Sequence, residues 1–352
     1  MTTFLEWREY GENLNRFASI REKADSPMDR IVVQVKNGVQ KVIAGDFGKT
    51  LIVTVGQTDQ PDGMVMVSSR LFLGTLKTLK GKGEAEVRIT STGAVITTNF
   101  GSEISMDAIT SPTKFLEPKP FVSGGWTAKF PAGFLPAAAR YLAITADYSP
   151  FNQVLAETHG HDMYFRTSED HILAKVGPIH VDVPRTISFP DHVFPALRGL
   201  EEAGGIYIPE RTDTQVHQAQ FGSGKYRVVC VIYPKYPTFP HVAEHGYTAT
   251  VKADKKVLID TFKSLAGRHQ YSRVVMKAGE GVFTIQSGDS GVARLNVDCE
   301  GTGTLPVNAA FIAKVLQVVD GKTATIQFAD APSHVRIVGD NNGWPMLVSP
   351  MK

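Results

Sequence analysis

Two short motifs in this 352-residue sequence contain residue types used in nucleophilic and phosphate chemistry. Gly288-Asp-Ser-Gly291 resembles the turn that carries a serine nucleophile, but strand-like residues flank it on both sides, which favours a hairpin turn. Gly222-Ser-Gly-Lys225 resembles a phosphate-binding loop. However, Tyr226 follows where Ser or Thr would hold magnesium, and a strand pattern follows where a helix should begin. We therefore interpret both motifs as turns.

A third cluster, His159, His161 and Asp162, contains metal-ligating residue types. It falls in a glycine-containing turn, and the sequence shows no further cluster of ligands to complete a site. No acid/base pair or nucleophile constellation stands out elsewhere. The sequence therefore predicts a protein that is not an enzyme, with no metal and no cofactor.

The composition is typical of a globular protein, with 42% hydrophobic and 20% charged residues. No run of about 18 apolar residues occurs, so no membrane span is predicted. The first ten residues carry charges where a signal peptide needs an apolar core, and the two cysteines cannot form a disulfide framework. We therefore expect a cytoplasmic protein.

Strand patterns dominate the chain and predict antiparallel sheets. The segments 30–36, 50–55, 86–90 and 226–232 are rich in β-branched residues. Short turn signals such as Lys36-Asn37-Gly38 and Gly279-Glu280-Gly281 join neighbouring strand patterns.

Helical periodicity occurs in six segments and indicates an internal repeat. The segments are 3–23, 68–82, 132–144, 191–203, 252–268 and 307–322. They form two alternating series, each repeating after about 120 residues, a period longer than that of the usual solenoid repeats. The sequence therefore predicts three copies of a unit, each with two helix-plus-strand halves. Coincidence in a β-rich chain is the alternative.

Positive charge is concentrated in the predicted helices. These six segments contain 17 Lys and Arg against 10 Asp and Glu, whereas the whole chain has 37 against 35. The helices therefore carry a net charge of +7 and the remainder of the chain −5. A basic structural layer is typical of a surface that binds a polyanion. The alternative is that these cations belong to ordinary solvated faces of amphipathic helices.

Five sequence segments resemble, in the correct order, those of a known family. They are Val67-Ser-Ser-Arg-Leu-Phe-Leu73, Phe165-Arg-Thr-Ser-Glu-Asp-His-Ile-Leu-Ala174, Tyr233-Pro-Lys-Tyr236, Asn308-Ala-Ala-Phe-Ile312 and Leu347-Val-Ser-Pro-Met-Lys352. Together they make the chain similar to the bacterial sliding clamp, the β subunit of DNA polymerase III.

This resemblance implies an α+β fold of three tandem DNA-clamp domains, each made of two helix-plus-antiparallel-sheet halves. The expected domains are 1–119, 120–245 and 246–352. Two chains would join head to tail into a ring, with the helices inside and the sheets outside. The implied function is a processivity factor that encircles duplex DNA without sequence preference, near the nucleoid. The implied partners are double-stranded DNA, a replicative DNA polymerase, other replication and repair proteins, an ATP-dependent clamp loader and a second copy of the chain.

The resemblance also assigns candidate residues. The partner-peptide pocket would contain Phe151, Ser168, Asp170, His171, Ile172, Leu173, Pro234, Thr238, Phe239, Tyr271, Asn308, Phe311, Pro332, His334, Leu347, Ser349, Pro350 and Met351. Helix candidates for the DNA-facing surface are Arg16, Arg21, Lys77, Lys80, Arg140, Arg198, Lys255, Lys263 and Lys314. The dimer interface would contain Ile104, Leu265 and Ala266.

The chain departs from the family pattern at the pocket. Asp170 stands where the family has Gly, Ile172 stands where it has Arg, and the tail ends at Lys352 without the usual Arg and Leu. We therefore expect a divergent clamp with a more apolar pocket that prefers bulkier hydrophobic anchors. The rival interpretations are a β-rich binding or structural protein without DNA encirclement, and an enzyme whose site is too scattered to recognise.

Overall fold

The computed structural model describes residues 1–18, 30–45, 48–109, 126–144, 153–168, 171–182, 184–190, 192–208, 218–233, 246–267, 272–288, 291–340 and 343–351. Each predicted helical segment contains a helix. The helices are α1 (Phe4–Phe17), α2 (Ser69–Thr78), α3 (Phe134–Leu142), α4 (Val193–Ala196), α5 (Lys255–Ala266) and α6 (Ala309–Val318).

Local capping explains where these helices begin. Thr3 and Glu6 form a reciprocal capping box at α1, and the Asn308 side chain accepts a hydrogen bond from the Ala310 N–H at α6. The fourth helix is shorter than predicted, with one α-helical turn followed by a 3₁₀ turn over Leu197–Gly199. Pro195 has no N–H to donate in a helix that began at residue 191, and Gly199 is a poor helix former, so the segment forms only a short helix.

Twenty-five strands account for most of the remaining regular structure among the described residues. The first third of the chain contains β1 (Thr2–Thr3), β2 (Arg30–Lys36), β3 (Val39–Gly45), β4 (Lys49–Gln57), β5 (Gly63–Ser68), β6 (Glu84–Ile89), β7 (Gly93–Thr98) and β8 (Glu103–Asp107). The middle third contains β9 (Ala128–Phe130), β10 (Gln153–His159), β11 (Asp162–Ser168), β12 (Ile172–His180), β13 (Ile187–Pro190), β14 (Gly204–Tyr207), β15 (Gln218–Ser223) and β16 (Tyr226–Val231). The last third contains β17 (Ala249–Asp254), β18 (Arg273–Gly279), β19 (Val282–Ser287), β20 (Gly291–Asn296), β21 (Asp298–Gly301), β22 (Gly303–Asn308), β23 (Thr323–Phe328), β24 (Val335–Gly339) and β25 (Met346–Val348).

Two predicted hairpin turns use the left-handed backbone region. Asn37 and Gly38 have φ of 53° and 70° between β2 and β3, and Glu280 and Gly281 have φ of 52° and 75° between β18 and β19. Positive φ at both central residues is the geometry of the tight turn whose twist matches that of antiparallel strands. These turns confirm the hairpins predicted from the sequence.

The strand order reveals the internal repeat. Three groups have the equivalent orders β5-β2-β3-β4, β13-β10-β11-β12 and β22-β18-β19-β20. Three more have the orders β1-β6-β7-β8, β9-β14-β15-β16 and β17-β23-β24-β25. The fold is therefore α+β and consists of six equivalent four-stranded groups, with β21 as an additional edge strand.

Some groups are joined into larger sheets. Strand β16 pairs antiparallel with β4 and completes an eight-stranded sheet, whereas β12 pairs antiparallel with β25 and completes a nine-stranded sheet. The β1-β6-β7-β8 group and the β22-β18-β19-β20 group remain as separate four-stranded sheets. Within the described part of the chain, β8 and β20 are consequently edge strands.

Two compact units divide the chain. Unit 1 contains residues 1–139, 179–183 and 193–234, and unit 2 contains residues 140–178, 184–192 and 235–352. The units do not follow the three expected domains because each larger sheet joins strands from two of them. The division into 1–119, 120–245 and 246–352 stays a prediction.

The apolar faces of helices and sheets form the core of each unit. In unit 1, Trp7 and Tyr10 of α1 are 1% exposed, and the Trp7 indole donates to the Ala85 carbonyl at 3.0 Å. In unit 2, Leu258 and Phe262 of α5 have no exposed surface. Full burial of such side chains contributes about 1.5–3 kcal/mol each. No helix in the described segments is long and apolar enough to cross a membrane.

Candidate functional site

The candidate peptide groove lies in unit 2, where β12 pairs with β25. Leu173 stands opposite Leu347 in this pairing, and Ile172 stands opposite Val348. Because side chains alternate between the two faces of a strand, Leu173 and Leu347 share one face and Ile172 and Val348 share the other. Leu347 is half-buried, whereas Val348 has no exposed surface. On the first face Leu347 therefore keeps accessible apolar surface, and Leu173 beside it is 9% exposed.

The first turn of α6 contributes an aromatic side chain to the same region. The Phe311 ring stacks on the His171 ring, with centroids 5.4 Å apart and planes inclined by 29°. The α6 N-cap, Asn308, is only 2% exposed and its side-chain oxygen is bonded to the Ala310 N–H. Asn308 therefore fixes the start of the helix that carries Phe311.

The end of the chain is attached to this region by backbone hydrogen bonds. The Ser349 N–H donates to the His171 carbonyl at 2.8 Å, and the Met351 N–H donates to the Pro306 carbonyl at 2.9 Å. Ser349 and Met351, which follow β25, are thereby attached to the residue before β12 and to β22, respectively. Pro350 and Met351 are half-buried, so each retains surface that a ligand can contact.

The other predicted pocket residues occupy different depths. Ile172 is 1% exposed and Ser168 is 7% exposed, so both support the groove from below. Pro332 is exposed and His334 is half-buried, and both precede β24. Phe151, Asp170, Pro234, Thr238, Phe239 and Tyr271 lie outside the described residues.

Arg336 of β24 is a candidate contact that the sequence did not indicate. It stands opposite Leu347, and its guanidinium donates to the Gln327 side chain at 2.5 Å. Only the strand register, which depends on residues far apart in the chain, places this cation beside the apolar pair. The groove consequently combines apolar side chains with a guanidinium at its margin.

The predicted DNA-facing cations differ in their exposure and in whether they bond to other groups of the protein. Lys77, Lys80, Arg198 and Lys263 are exposed. These four side chains are therefore accessible to a polyanion.

Other members of that set are bonded to the protein. The Arg16 guanidinium donates to the Asn13 side chain at 2.7 Å, and the Lys255 ammonium donates to the Val319 carbonyl at 2.8 Å. Lys255 thereby donates a hydrogen bond to a carbonyl at the end of α6 that has no partner within the helix. Lys314 is half-buried, and Arg21 lies outside the described residues.

Arg140 forms an ion pair with Asp320, which reduces the charge that it can offer to DNA. Tyr141 belongs to the same cluster, because its hydroxyl lies 3.4 Å from the Asp320 carboxylate and accepts from the Asp320 N–H at 3.2 Å. Burial, together with the Asp320 charge, raises the pKa of Tyr141 to about 12. The phenol is therefore neutral at physiological pH.

The three predicted interface residues lie at or near the edge strands β8 and β20. Ile104 is half-buried on β8. Leu265 is half-buried in the last turn of α5, and a Cβ on Gly291 at the start of β20 would lie 3.5 Å from its Cδ2. Ala266 is 7% exposed and belongs largely to the core. Sequence reasoning missed Val292 on β20, which is 54% exposed.

The described residues of the motifs set aside from the sequence lie in or beside turns. Gly224, with φ of 54°, and Lys225 connect β15 to β16, and the Gly288 motif falls between β19 and β20, although Asp289 and Ser290 lie outside the described residues. The His159 imidazole lies 3.3 Å from the Glu157 carboxylate. Among the described residues, no group of three or more His, Cys, Asp or Glu side chains is positioned to hold a metal ion.

Comparisons with known proteins identify the fold. No protein-family model matches the sequence, and no curated protein matches it. Solved structures match over the whole length. The DNA polymerase III beta subunit of Thermotoga maritima aligns with a TM-score of 0.79 and 17% identity, covering 100% of this chain and 98% of that one. The subunit from Pseudomonas aeruginosa aligns with a TM-score of 0.76 and 17% identity, covering 98% of both chains.

A third similar structure, the DNA polymerase sliding clamp of Bacillus subtilis, aligns with a TM-score of 0.75 and 13% identity. It covers 100% of this chain and 98% of that one. The α+β architecture implied by the sequence resemblance is therefore confirmed, and at 13–17% identity the sequence is divergent. The chain has the fold of the DNA polymerase III beta sliding clamps.

Proposed function

We propose that this protein is a sliding clamp that encircles duplex DNA as a head-to-tail dimer. In this role it tethers a replicative DNA polymerase and other replication and repair proteins to DNA, and an ATP-dependent clamp loader opens and closes it. It acts in the cytoplasm and catalyses no reaction itself. Its three domains are 1–119, 120–245 and 246–352.

The observation that supports a closed dimer is that only two of three equivalent pairs of edge strands are joined within the chain. In the six-group repeat, β4, β12 and β20 occupy equivalent positions, as do β16, β25 and β8. Two of the three possible junctions are made within the chain, by β4 with β16 and by β12 with β25. The third junction would join β20 of one chain to β8 of another. Two such contacts close a dimer and leave no unpaired edge of this type.

The chemistry of the two edges supports this pairing. Strand β8 presents the exposed acids Glu103 and Asp107. Strand β20 presents the exposed side chains of Val292 and Arg294. Opposite charges on paired strands favour association and orient it.

Helix contacts repeat in the same manner. At the end of α1, the Arg16 guanidinium lies beside Gly199, which ends the 3₁₀ turn after α4. At the end of α3, Arg140 pairs with Asp320, which follows α6. The third equivalent contact would bring the end of α5, with Leu265, to the end of α2 in the second chain. This is the interface that the sequence resemblance implied.

A closed ring also reconciles a modest helical charge with persistent DNA binding. A charge of +7 spread over six helical segments attracts phosphates without reading bases. Such attraction alone is weak at physiological salt. Topological closure would keep the protein on DNA while leaving it free to slide.

Charge reversal at the end of α2 tests the DNA-facing assignment. The Lys77→Glu/Lys80→Glu variant should bind a short duplex more weakly than wild type, because one exposed cation in the last turn of α2 and another just beyond that helix are replaced by anions. Loss of about two phosphate contacts should flatten the slope of log affinity against log salt by about 1–2. Fluorescence anisotropy of a labelled duplex over a salt series measures both effects.

The matched control is Lys36→Glu/Lys129→Glu, which changes the net charge equally at exposed strand positions. The proposal expects this control to retain most of the wild-type affinity, with thermal melting showing that both variants are folded. If both variants bound DNA equally weakly, only the net charge of the protein would matter. The assignment of the helices to the DNA-facing surface would then be wrong.

A further inference from the structure

A cleft of about 370 Å³ opens on the eight-stranded sheet of unit 1, and none of its lining residues belongs to the groove described above. Its floor is formed by β4 and by neighbouring strands, and includes Ile52 and Thr54. The alternation of side chains places Ile52 on the face opposite Leu51 and Val53, which have no exposed surface and pack in the core. The cleft therefore lies on the sheet face that is turned away from the core.

One wall of the cleft is an aromatic ring held against glycine backbone. A Cβ on Gly222 would lie 2.2 Å from the Trp126 ring, and a Cβ on Gly205 would lie 2.5 Å from it. These two glycines are opposite each other on β14 and β15. Because no side chain separates the indole from the sheet, the ring is rigidly seated, and it remains half-exposed. A fixed, half-exposed indole is a suitable surface for an apolar anchor.

Two cations stand on either side of the cleft floor. Lys41 on β3 is opposite Thr54, and Arg227 on β16 is opposite Ile52. Their backbones flank β4, so they are about 10 Å apart across the sheet, twice the usual strand spacing, and they are offset by two residues along it. This separation suits two carboxylates along an extended peptide better than a single phosphate. None of the described residues that line the cleft is an Asp or Glu.

Charges at the cleft end are already committed. The Lys225 ammonium donates to the Glu6 carboxylate and to the Tyr10 hydroxyl, at 2.8 Å each. A second acid, Glu202, places its carboxylate over Gly224 at this end. The cations of the floor itself are Lys41, which is half-buried, and Arg227, which is exposed.

We propose that this cleft binds an acidic peptide segment of a partner protein, with one apolar anchor against Trp126 and Ile52 and with carboxylates facing Lys41 and Arg227. The chain immediately before Trp126, residues 110–125, carries Lys114 and Lys119 against Glu117, so its charge does not complement the cleft. The site is separate from the peptide groove in unit 2 and does not depend on DNA encirclement. It would give the protein a second means of selecting partners.

A blocked pentapeptide, acetyl-Glu-Asp-Phe-Asp-Glu-amide, is the probe. Its binding to the full chain is measured by calorimetry and compared with binding to Lys41→Glu and to Lys36→Glu, an exposed lysine on β2 outside the cleft. We expect about tenfold weaker binding in Lys41→Glu, because an attractive charge becomes a repulsive one, and nearly unchanged binding in Lys36→Glu. Thermal melting of each variant verifies folding.

Two further binding measurements identify the class of ligand and the site that binds it. The chain lacking residues 350–352 should bind the probe as wild type does, whereas acetyl-Gln-Asn-Phe-Asn-Gln-amide should bind at least about tenfold more weakly than the acidic probe. The proposal would be overturned if the acidic probe did not bind wild type, or if both lysine variants lost probe affinity equally. It would also be overturned if the truncated chain lost probe affinity, or if inorganic phosphate or a DNA oligonucleotide displaced the probe completely. These outcomes leave the proposed clamp function unaffected.

Discussion

Replacing Leu265 and Ala266 with charged residues is expected to convert a dimer into folded monomers. Wild type should have a mass of about 77 kDa in solution, twice the 38.4 kDa of one chain. Leu265 lies beside the start of β20, so a charge there would be buried without a partner at the proposed contact. The expected cost of about 3–5 kcal/mol raises the dissociation constant by more than a hundredfold. Size-exclusion chromatography with light scattering measures the mass.

Ala266 is 7% exposed, so a second variant separates loss of the interface from loss of folding. Val292→Glu changes a residue that is 54% exposed on the free edge of β20 and should also give monomers with a wild-type melting temperature. Met64→Glu, at a 62% exposed position on β5, is the matched control and should remain dimeric. A dimeric Val292→Glu protein would contradict pairing of β20 with β8. A wild type that is monomeric at all concentrations would favour the rival β-rich binding protein without encirclement.

Deleting residues 350–352 is expected to weaken binding of a Gln-Leu-x-Leu-Phe-type peptide by at least about tenfold. The deletion removes the hydrogen bond from the Met351 N–H to the Pro306 carbonyl and removes two half-buried side chains beside Ser349. Calorimetry with the peptide measures the loss. Equal affinity for the full and shortened chains would place the partner site elsewhere.

A point substitution makes this test sharper. Phe311→Ala removes the ring that stacks on His171, and its expected effect on affinity is of similar size, because aromatic anchors dominate such sites. Leu5→Ala, at a position that is 67% exposed on α1, is the matched apolar truncation and should leave peptide affinity unchanged. If both substitutions weaken binding equally, the effect is not specific to the groove.

Much of the fold could be predicted because local signals agree with it. The capping residues Thr3 and Asn308 mark the beginnings of α1 and α6, and the turn at Asn37 and Gly38 marks a hairpin. The exception is α4, where apolar periodicity extended beyond what Pro195 and Gly199 allow. Periodicity reports which residues are buried, whereas backbone donors and glycine conformational entropy determine where a helix ends.

The sites could be predicted only in part, because long-range register assembles them. The sequence contained Leu173 and Leu347, but only the pairing of β12 with β25 makes them neighbours. The sequence does not indicate that Arg140 is paired, because its partner Asp320 lies 180 residues away in the chain. The position of the Trp126 ring depends on two glycines on adjacent strands. Nothing in a single sequence indicates that these two glycines are neighbours.

Retention on circular DNA tests encirclement most directly. The protein is loaded onto a nicked circular duplex by its ATP-dependent loader, washed at high salt, and then released by cutting the circle with a restriction enzyme. Encirclement predicts that the protein stays on the circle at salt concentrations that abolish electrostatic binding, and that it leaves once the DNA is linear. Release from the intact circle at high salt, or equal retention on linear DNA with free ends, would contradict a closed ring around DNA.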